Sequence, residues 1–292
     1  MATNNPYQAL VEGFSRLLSE GERLSPAGLI PPTRRLTRAD APSALIFAPH
    51  PDDEVIIGGL PLRLLREQGL NVINVAVTLG SRRERQAERW QELKNCCDYI
   101  GFGLVAPAER GLEGINPVAQ KQEPQRWSTA VGAISAILAA HRPSIVFLPH
   151  AEDWNKTHIG THYLVLEALG RCSGMVCRVV ETEFWGAMDA PNLMVESSTA
   201  DVADLVTALS LHVGEVARNP YHLRLAAWMM DNVRRGAELV GGQGSAAPRF
   251  AFATLYRLRR WADGQLHEVL EGGRILSADD DLSELFLTPT QY

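Results

Sequence analysis

Nothing in these 292 residues approaches the ~20 consecutive apolar positions that a membrane-spanning helix needs, and this excludes a helical span. Basic residues are in deficit as well. Twenty-eight Lys and Arg stand against 34 Asp and Glu, a formal charge of −6, whereas a nucleic-acid binder needs a basic face. There are only four cysteines. Cys96 and Cys97 are adjacent in a helical stretch, and Cys172 and Cys177 flank a Ser-Gly turn. Neither spacing makes a disulfide framework or a zinc ribbon, so buried thiols are expected. The start, Met1 to Tyr7, is polar and uncharged and has no leader character, so a cytoplasmic location is expected. A working dinucleotide fingerprint is also missing. Gly101-x-Gly103-x-x-Ala106 and Gly242-x-Gly244-x-x-Ala247 have the spacing, but each follows a helical stretch and leads into a strand, the reverse of the required order.

What remains is a chain of ordinary composition, 46% hydrophobic and 21% charged, long enough to bury a large core as one catalytic domain. Apolar runs alternate with helical spacing. Strands are expected at 43–49, 71–79, 144–149 and 176–184, and helices at 86–100, 125–141, about 157–169, 201–213 and 221–239. That alternation predicts an α/β fold with a mostly parallel sheet. Residues 107–124 look like a loop, and 249–256 alternates like a late edge strand. Residues 1 to about 40 form a lead-in arm. In it Leu10, Phe14, Leu17 and Leu18 predict a short helix, and a proline-rich loop lays the arm on the domain or on a neighbouring subunit. A homo-oligomer is compatible with this arrangement. Residues 41–292 are expected to form a single catalytic domain. Asp279-Asp280-Asp281 lacks the spacing of a calcium loop and is expected to open a helix.

The organising stretch is His50-Pro51-Asp52-Asp53-Glu54. It lies between the first strand and a helical run, at the carboxyl edge where open α/β sheets bind ligands. One imidazole and three carboxylates within five residues repel one another unless a cation is shared. Alternating positions let His50 and Asp53 hold a metal while Asp52 stays free as a base. Helix capping would need one Asp and explains neither the histidine nor the proline. A second polar cluster, His150-Ala-Glu-Asp153-Trp-Asn155-Lys-Thr-His158 with His162 beyond it, follows the 144–149 strand. There Thr157 is the expected N-cap, and His158 and His162 share one helical face.

His-Pro-Asp-Asp-Glu after a strand resembles the LmbE/PIG-L superfamily of zinc-dependent N-acetyl-sugar deacetylases. Arg89-x-x-Glu92-Leu93 with Ile100-Gly101, and the cluster ending in His158, add to the resemblance. It implies a Rossmann-like sandwich with helices on both faces and the metal site at the carboxyl ends of the strands. It also implies zinc, or another divalent metal such as Fe²⁺, held by His50, Asp53 and His158, with Asp52 as the base. Arg89 is then expected to reach the substrate pocket. Asn155 stands where the family carries its first histidine, so His150, Asp153 or His162 is left to substitute, and His162 is expected to hold His158 or line the pocket. The implied substrate is an N-acetylated amino sugar or glycoconjugate, cleaved to acetate and free amine. The alternatives are a metal amidase acting on another N-acyl small molecule and a non-catalytic sugar-binding member of the fold. An intact Asp52 argues against the last.

Overall fold

The computed structural model describes residues 5–25, 31 and 40–287. The expected lead-in helix is present as α1, Gln8–Gly21. Apart from Ser25 and Pro31, the loop expected to follow it lies outside the described residues. The first half of the chain then alternates strand and helix: β1 (Ser43–Ala48), α2 (Asp53–Ile56), α3 (Leu60–Arg66), β2 (Asn71–Ala76), α4 (Gln86–Ile100), β3 (Gly103–Val105), α5 (Pro117–Gln122), α6 (Pro124–His141), β4 (Ile145–Pro149), α7 (Lys156–Arg171) and β5 (Cys177–Thr182). The second half adds β6 (Leu193–Glu196), α8 (Thr199–Ser210), α9 (Val213–Arg218), a 3₁₀ turn Tyr221–Arg224, α10 (Leu225–Leu239), β7 (Ala253–Ala262), β8 (Gln265–Glu268), β9 (Arg274–Leu276) and α11 (Ser283–Phe286).

Among the described residues the strands form one sheet in the order β3-β2-β1-β4-β5-β7-β6-β9, with β8 on β7. The stretch from β3 to β5 is parallel, and β7 is antiparallel to β5 and β6. The fold is therefore the expected α/β one, an open and mostly parallel sheet with helices around it. Strand period explains why both faces are covered. Ala44, Ile46 and Ala48 of β1 enter one core with Leu93 of α4 and Leu205 of α8. Leu45 and Phe47 enter the other with Val131 of α6 and Leu164 of α7. Successive side chains point to opposite faces, so a strand buried on both faces reads as a continuous apolar run.

Several expectations need correction. Residues 249–256 do not form an edge strand. The strand is β7, it starts at Ala253, and it lies inside the sheet between β5 and β6. Alternation reports which face is buried and says nothing about the position of a strand within its sheet. The expected 107–124 loop contains α5, which Asn116 caps by accepting from Val118 N and Ala119 N. Asn155, not Thr157, caps α7, its Oδ1 accepting from Thr157 N at 2.8 Å. Asparagine caps better than threonine. The helical run expected after the Gly-Gly pair is present as α3, and the short α2 before it ends at Gly58, where φ is +89° and an added Cβ would lie 2.1 Å from Thr254 Oγ1. The acidic run 279–281 precedes α11 but does not open it; Asp281 instead accepts from Ser283 N at 2.9 Å.

Two consequences of this order position the site. β1 has β2 on one side and β4 on the other, so the chain turns in opposite directions from β1, and the crevice at the carboxyl ends of β1 and β4 is the switch point where such sheets bind ligands. The second half of the chain also comes back over this crevice. Gly214 N donates to Glu92 Oε1 at 2.7 Å, and Glu215 pairs with Arg85 at 2.9 Å. These contacts dock α9 on α4. A Cβ on Gly214 would fall 2.1 Å from the Arg85 guanidinium, so that flexible side chain would have to move aside.

Candidate active site

The turn after β1 is under strain. Asp52 has φ +110°, a conformation that costs a non-glycine residue roughly 1–3 kcal/mol and persists only where neighbours fix it. Two carboxylates do so. Glu54 Oε2 accepts from Asp52 N at 2.9 Å, and Asp53 Oδ2 accepts from His50 N at 2.9 Å. The Asp52 side chain makes no capping bond to α2. Simple helix capping therefore does not describe this aspartate.

Three side chains from the two strand ends meet here. His50 Nδ1 lies 3.2 Å from His158 Nε2 and 3.3 Å from Asp53 Oδ2, and His158 Nε2 lies 3.3 Å from Asp53 Oδ2. This near-equilateral triangle matches a face of a tetrahedron whose bonds are 2.0–2.1 Å, for which the edges are ~3.3–3.4 Å. Two imidazole nitrogens and one carboxylate oxygen, with an open fourth side, could therefore hold a divalent cation. The electrostatics agree. Burial alone would lower the pKa of His158, but the Asp53 and Asp153 carboxylates raise it to about 10. Burial would raise the pKa of Asp53, and the two histidines lower it instead. The cluster is thus a seat for positive charge. The other nitrogen of His158 faces Asp153 Oδ2 at 3.6 Å, an ion-pair distance. The Asp153 carboxylate also accepts from Asn155 N at 2.7 Å and from Gly186 N at 3.3 Å. A carboxylate behind a ligating histidine fixes its tautomer and orientation. Phe184 closes the edge of His158, with ring centroids 4.6 Å apart. Gly186 allows its loop to lie this close, since a Cβ would meet Asp153 Cα at 2.9 Å.

Asp52 stands beside the triangle. Burial and the neighbouring Asp53 carboxylate raise its pKa to about 7, against opposing pulls from His212, Tyr221 and Arg89. A carboxyl poised near neutral pH suits a general base. Its Oδ2 accepts a 2.6 Å hydrogen bond from the Tyr221 hydroxyl. The Tyr221 phenol is held protonated by burial and by the Asp52 charge.

The remaining sequence-predicted residues lie around this centre. Arg89 is largely buried; its Nη2 donates to Pro51 O at 3.1 Å and its Nε is 3.8 Å from Glu215, so it braces the strained turn. Asn155 uses its side-chain oxygen to cap α7. His150 pairs through Nε2 with Gly186 O at 2.8 Å. His162 is within 2.8 Å of Pro149 O and 3.5 Å of Glu181, which ties α7 to the end of β4, away from the triangle. Burial lowers its pKa. Sequence reasoning missed Tyr221, Phe184, Gly186 and a second histidine, His212, which meets Glu54 Oε1 at 2.7 Å. No local signal marks any of them.

Beside His50 a cleft of about 450 Å³ opens, within the usual range for small-molecule sites. Ser81, Glu113, Asn116 and Thr157 supply polar groups to it, and Leu112 and Ile115 supply apolar ones. Arg83 also lines it, bonded to Glu113 at 2.7 and 2.9 Å.

Residues 45–169 match the family described as PIG-L: GlcNAc-PI de-N-acetylase. The segment that carries the triangle is the one that is similar to this family. The curated 1D-myo-inositol 2-acetamido-2-deoxy-alpha-D-glucopyranoside deacetylase of Mycobacteroides abscessus is 26% identical over 160 residues, 46% of this chain and 57% of that protein. The match therefore spans little more than half of that relative. Two solved structures share the fold at 17% identity. The N,N'-diacetylchitobiose deacetylase from Pyrococcus horikoshii has a TM-score of 0.55, with 88% of this chain and 94% of that one covered. The 4-carboxy-2-hydroxymuconate hydratase from Pseudomonas putida KT2440 has a TM-score of 0.54, with 78% and 99% covered. One fold thus serves two chemistries, and function has to be argued from the site.

Proposed function

We propose that this protein is a metal-dependent hydrolase that removes the N-acetyl group from an N-acetylated amino sugar or glycoconjugate, with zinc as the expected cation and the cytoplasm as its place of action. The observation that carries the reading is the 3.2–3.3 Å triangle of His50, Asp53 and His158 with Asp52 beside it. His50, Asp53 and His158 would hold the ion, and a divalent cation there supplies charge stabilisation at the acyl oxygen and acidifies water. Asp52 takes one proton from the attacking water and returns it to the amide nitrogen as the C–N bond breaks. The other water proton leaves with acetic acid. Glu54 and Arg89 keep the turn that carries Asp52 in place, and Asp153 aims His158. The polar cleft beside His50 has the size and hydroxyl-matching groups for an amino sugar. Residues 41–292 form the catalytic unit in this reading, and residues 1–40 are an appended arm.

The PIG-L match and the curated deacetylase relative favour an acetamido sugar over other amides. The test is to incubate purified, zinc-supplemented protein with N-acetylated sugars and their conjugates and read both acetate and free amine. Stoichiometric release that is abolished by chelation and restored by zinc is expected. Turnover confined to N-acyl compounds that are not sugars would move the assignment to another amide. A metal-loaded protein that releases no acetate from any of them would overturn it.

A further inference from the structure

Asp52 is gripped twice. Its backbone is fixed by Glu54, whose other oxygen meets His212. Its carboxylate is fixed from the opposite half of the chain by Tyr221, 169 residues away, at 2.6 Å. Among the described residues no protein group hydrogen-bonds the other carboxylate oxygen of Asp52, so the single Tyr221 bond sets which oxygen is free. Tyr221 is itself built into place. The 3₁₀ turn that carries it follows α9, which is docked on α4 through Glu215 and Arg85. Its ring is met by Trp185 at 6.3 Å in an edge-on arrangement. Trp185 is 54% exposed and belongs to the same loop as Phe184, which packs on His158. One aromatic chain therefore runs from a proposed metal ligand to the proposed base.

We propose that Tyr221 is a positioning residue for Asp52: its hydroxyl occupies one carboxylate oxygen and turns the other toward the scissile amide. The inference rests on the deacetylase reading, because it assigns Tyr221 a part in that reaction.

A double-mutant cycle on the metal-loaded enzyme tests this, using Tyr221→Phe, Asp52→Asn and the combined variant. Tyr221→Phe is expected to lower kcat about ten- to a hundredfold, the size of a hydrogen bond to a charged group, with KM, metal content and Tm unchanged. In the Asp52→Asn background the same change should cost less than about twofold, since interacting residues are non-additive. Equal losses in both backgrounds, a change confined to KM, or wild-type kcat in Tyr221→Phe would each overturn the inference while leaving the deacetylase reading standing. A wild type with no turnover sinks the deacetylase reading and this inference together. The two failures are therefore told apart by the wild-type assay alone.

Discussion

Asp53 and Glu54 are neighbours on one short helix, and each heads a group of three potential metal donors: His50 with His158 around one, Cys96 with His212 around the other. The two groups are built differently. Around Asp53 the donor atoms stand 3.2–3.3 Å apart, and the His50 side chain is 20% exposed toward the cleft. Around Glu54, carboxylate and imidazole meet at 2.7 Å, and none of the three residues is more than 1% exposed. Two atoms 2.7 Å apart that shared an ion at 2.0–2.1 Å would close the angle at the ion to ~80°, far from tetrahedral. The first group has the spacing of a coordination shell and a way in. The second has the spacing of a hydrogen bond and is sealed. Residue type alone does not separate a metal centre from a buried ion pair; spacing and access do.

The comparison breaks most visibly if the wrong group binds the metal. His158→Ala and Asp53→Ala should each lose the roughly one divalent ion per chain expected of a single site, and all measurable turnover with it. Metal analysis of the purified variants checks this. Full occupancy in either would dissolve the distinction between the two groups.

Asp52 lies between them and should behave like neither. Asp52→Asn keeps the shape and the helix start but cannot take a proton. It should purify metal-loaded and normally folded, with turnover reduced by roughly 10²–10⁴, the range for a positioned general base. A metal-free variant would make Asp52 a ligand, and a loaded, fully active one would remove it as the base.

Much of the first group was legible in the sequence and almost none of the second. His50, Asp52 and Asp53 fall within one turn after a strand whose apolar run is unmistakable, and His158 sits at the next strand end in a recognisable cluster. Local patterns of that kind survive in a sequence. His212 reaches Glu54 from 158 residues away, and Tyr221 reaches Asp52 from 169. Their arrival depends on how α9 docks on α4, a tertiary event with no periodic signature. The fold divides in the same way. β1, β2, β4 and β5 were readable as apolar runs, whereas β6, β8 and β9, at three or four residues each, are too short for alternation to show. For Arg89 the family resemblance implied a reach into the substrate pocket, whereas its bond to Pro51 O is visible only in three dimensions.

The smallest effects on metal content and turnover should come from the sealed group, whose effects are on stability. His212→Ala leaves Glu54 buried without its partner, and breaking a buried pair from one side costs about 3–5 kcal/mol of stability, while metal content in the folded fraction stays at one. Burial pushes the His212 pKa down, but the Glu54, Asp52 and Glu92 carboxylates together push it up by more, so the net shift is upward from 6.5. A histidine whose folded pKa is raised contributes stability that is complete below its unfolded value and is lost as pH rises through the folded one. The Tm gap between wild type and His212→Ala should therefore be at its full width below about pH 6.5 and should narrow as pH rises above it. Cys96→Ser is the milder companion. Burial and the nearby Glu54 hold the Cys96 thiol well above its ordinary pKa, which keeps it protonated and a poor ligand, so the serine variant should lose at most about 1–2 kcal/mol and no metal. Thermal melts across pH, with metal analysis on both variants, decide the matter. A metal count that falls in either, or a wild type that binds a second zinc with high affinity, would show that the sealed group is a coordination site after all.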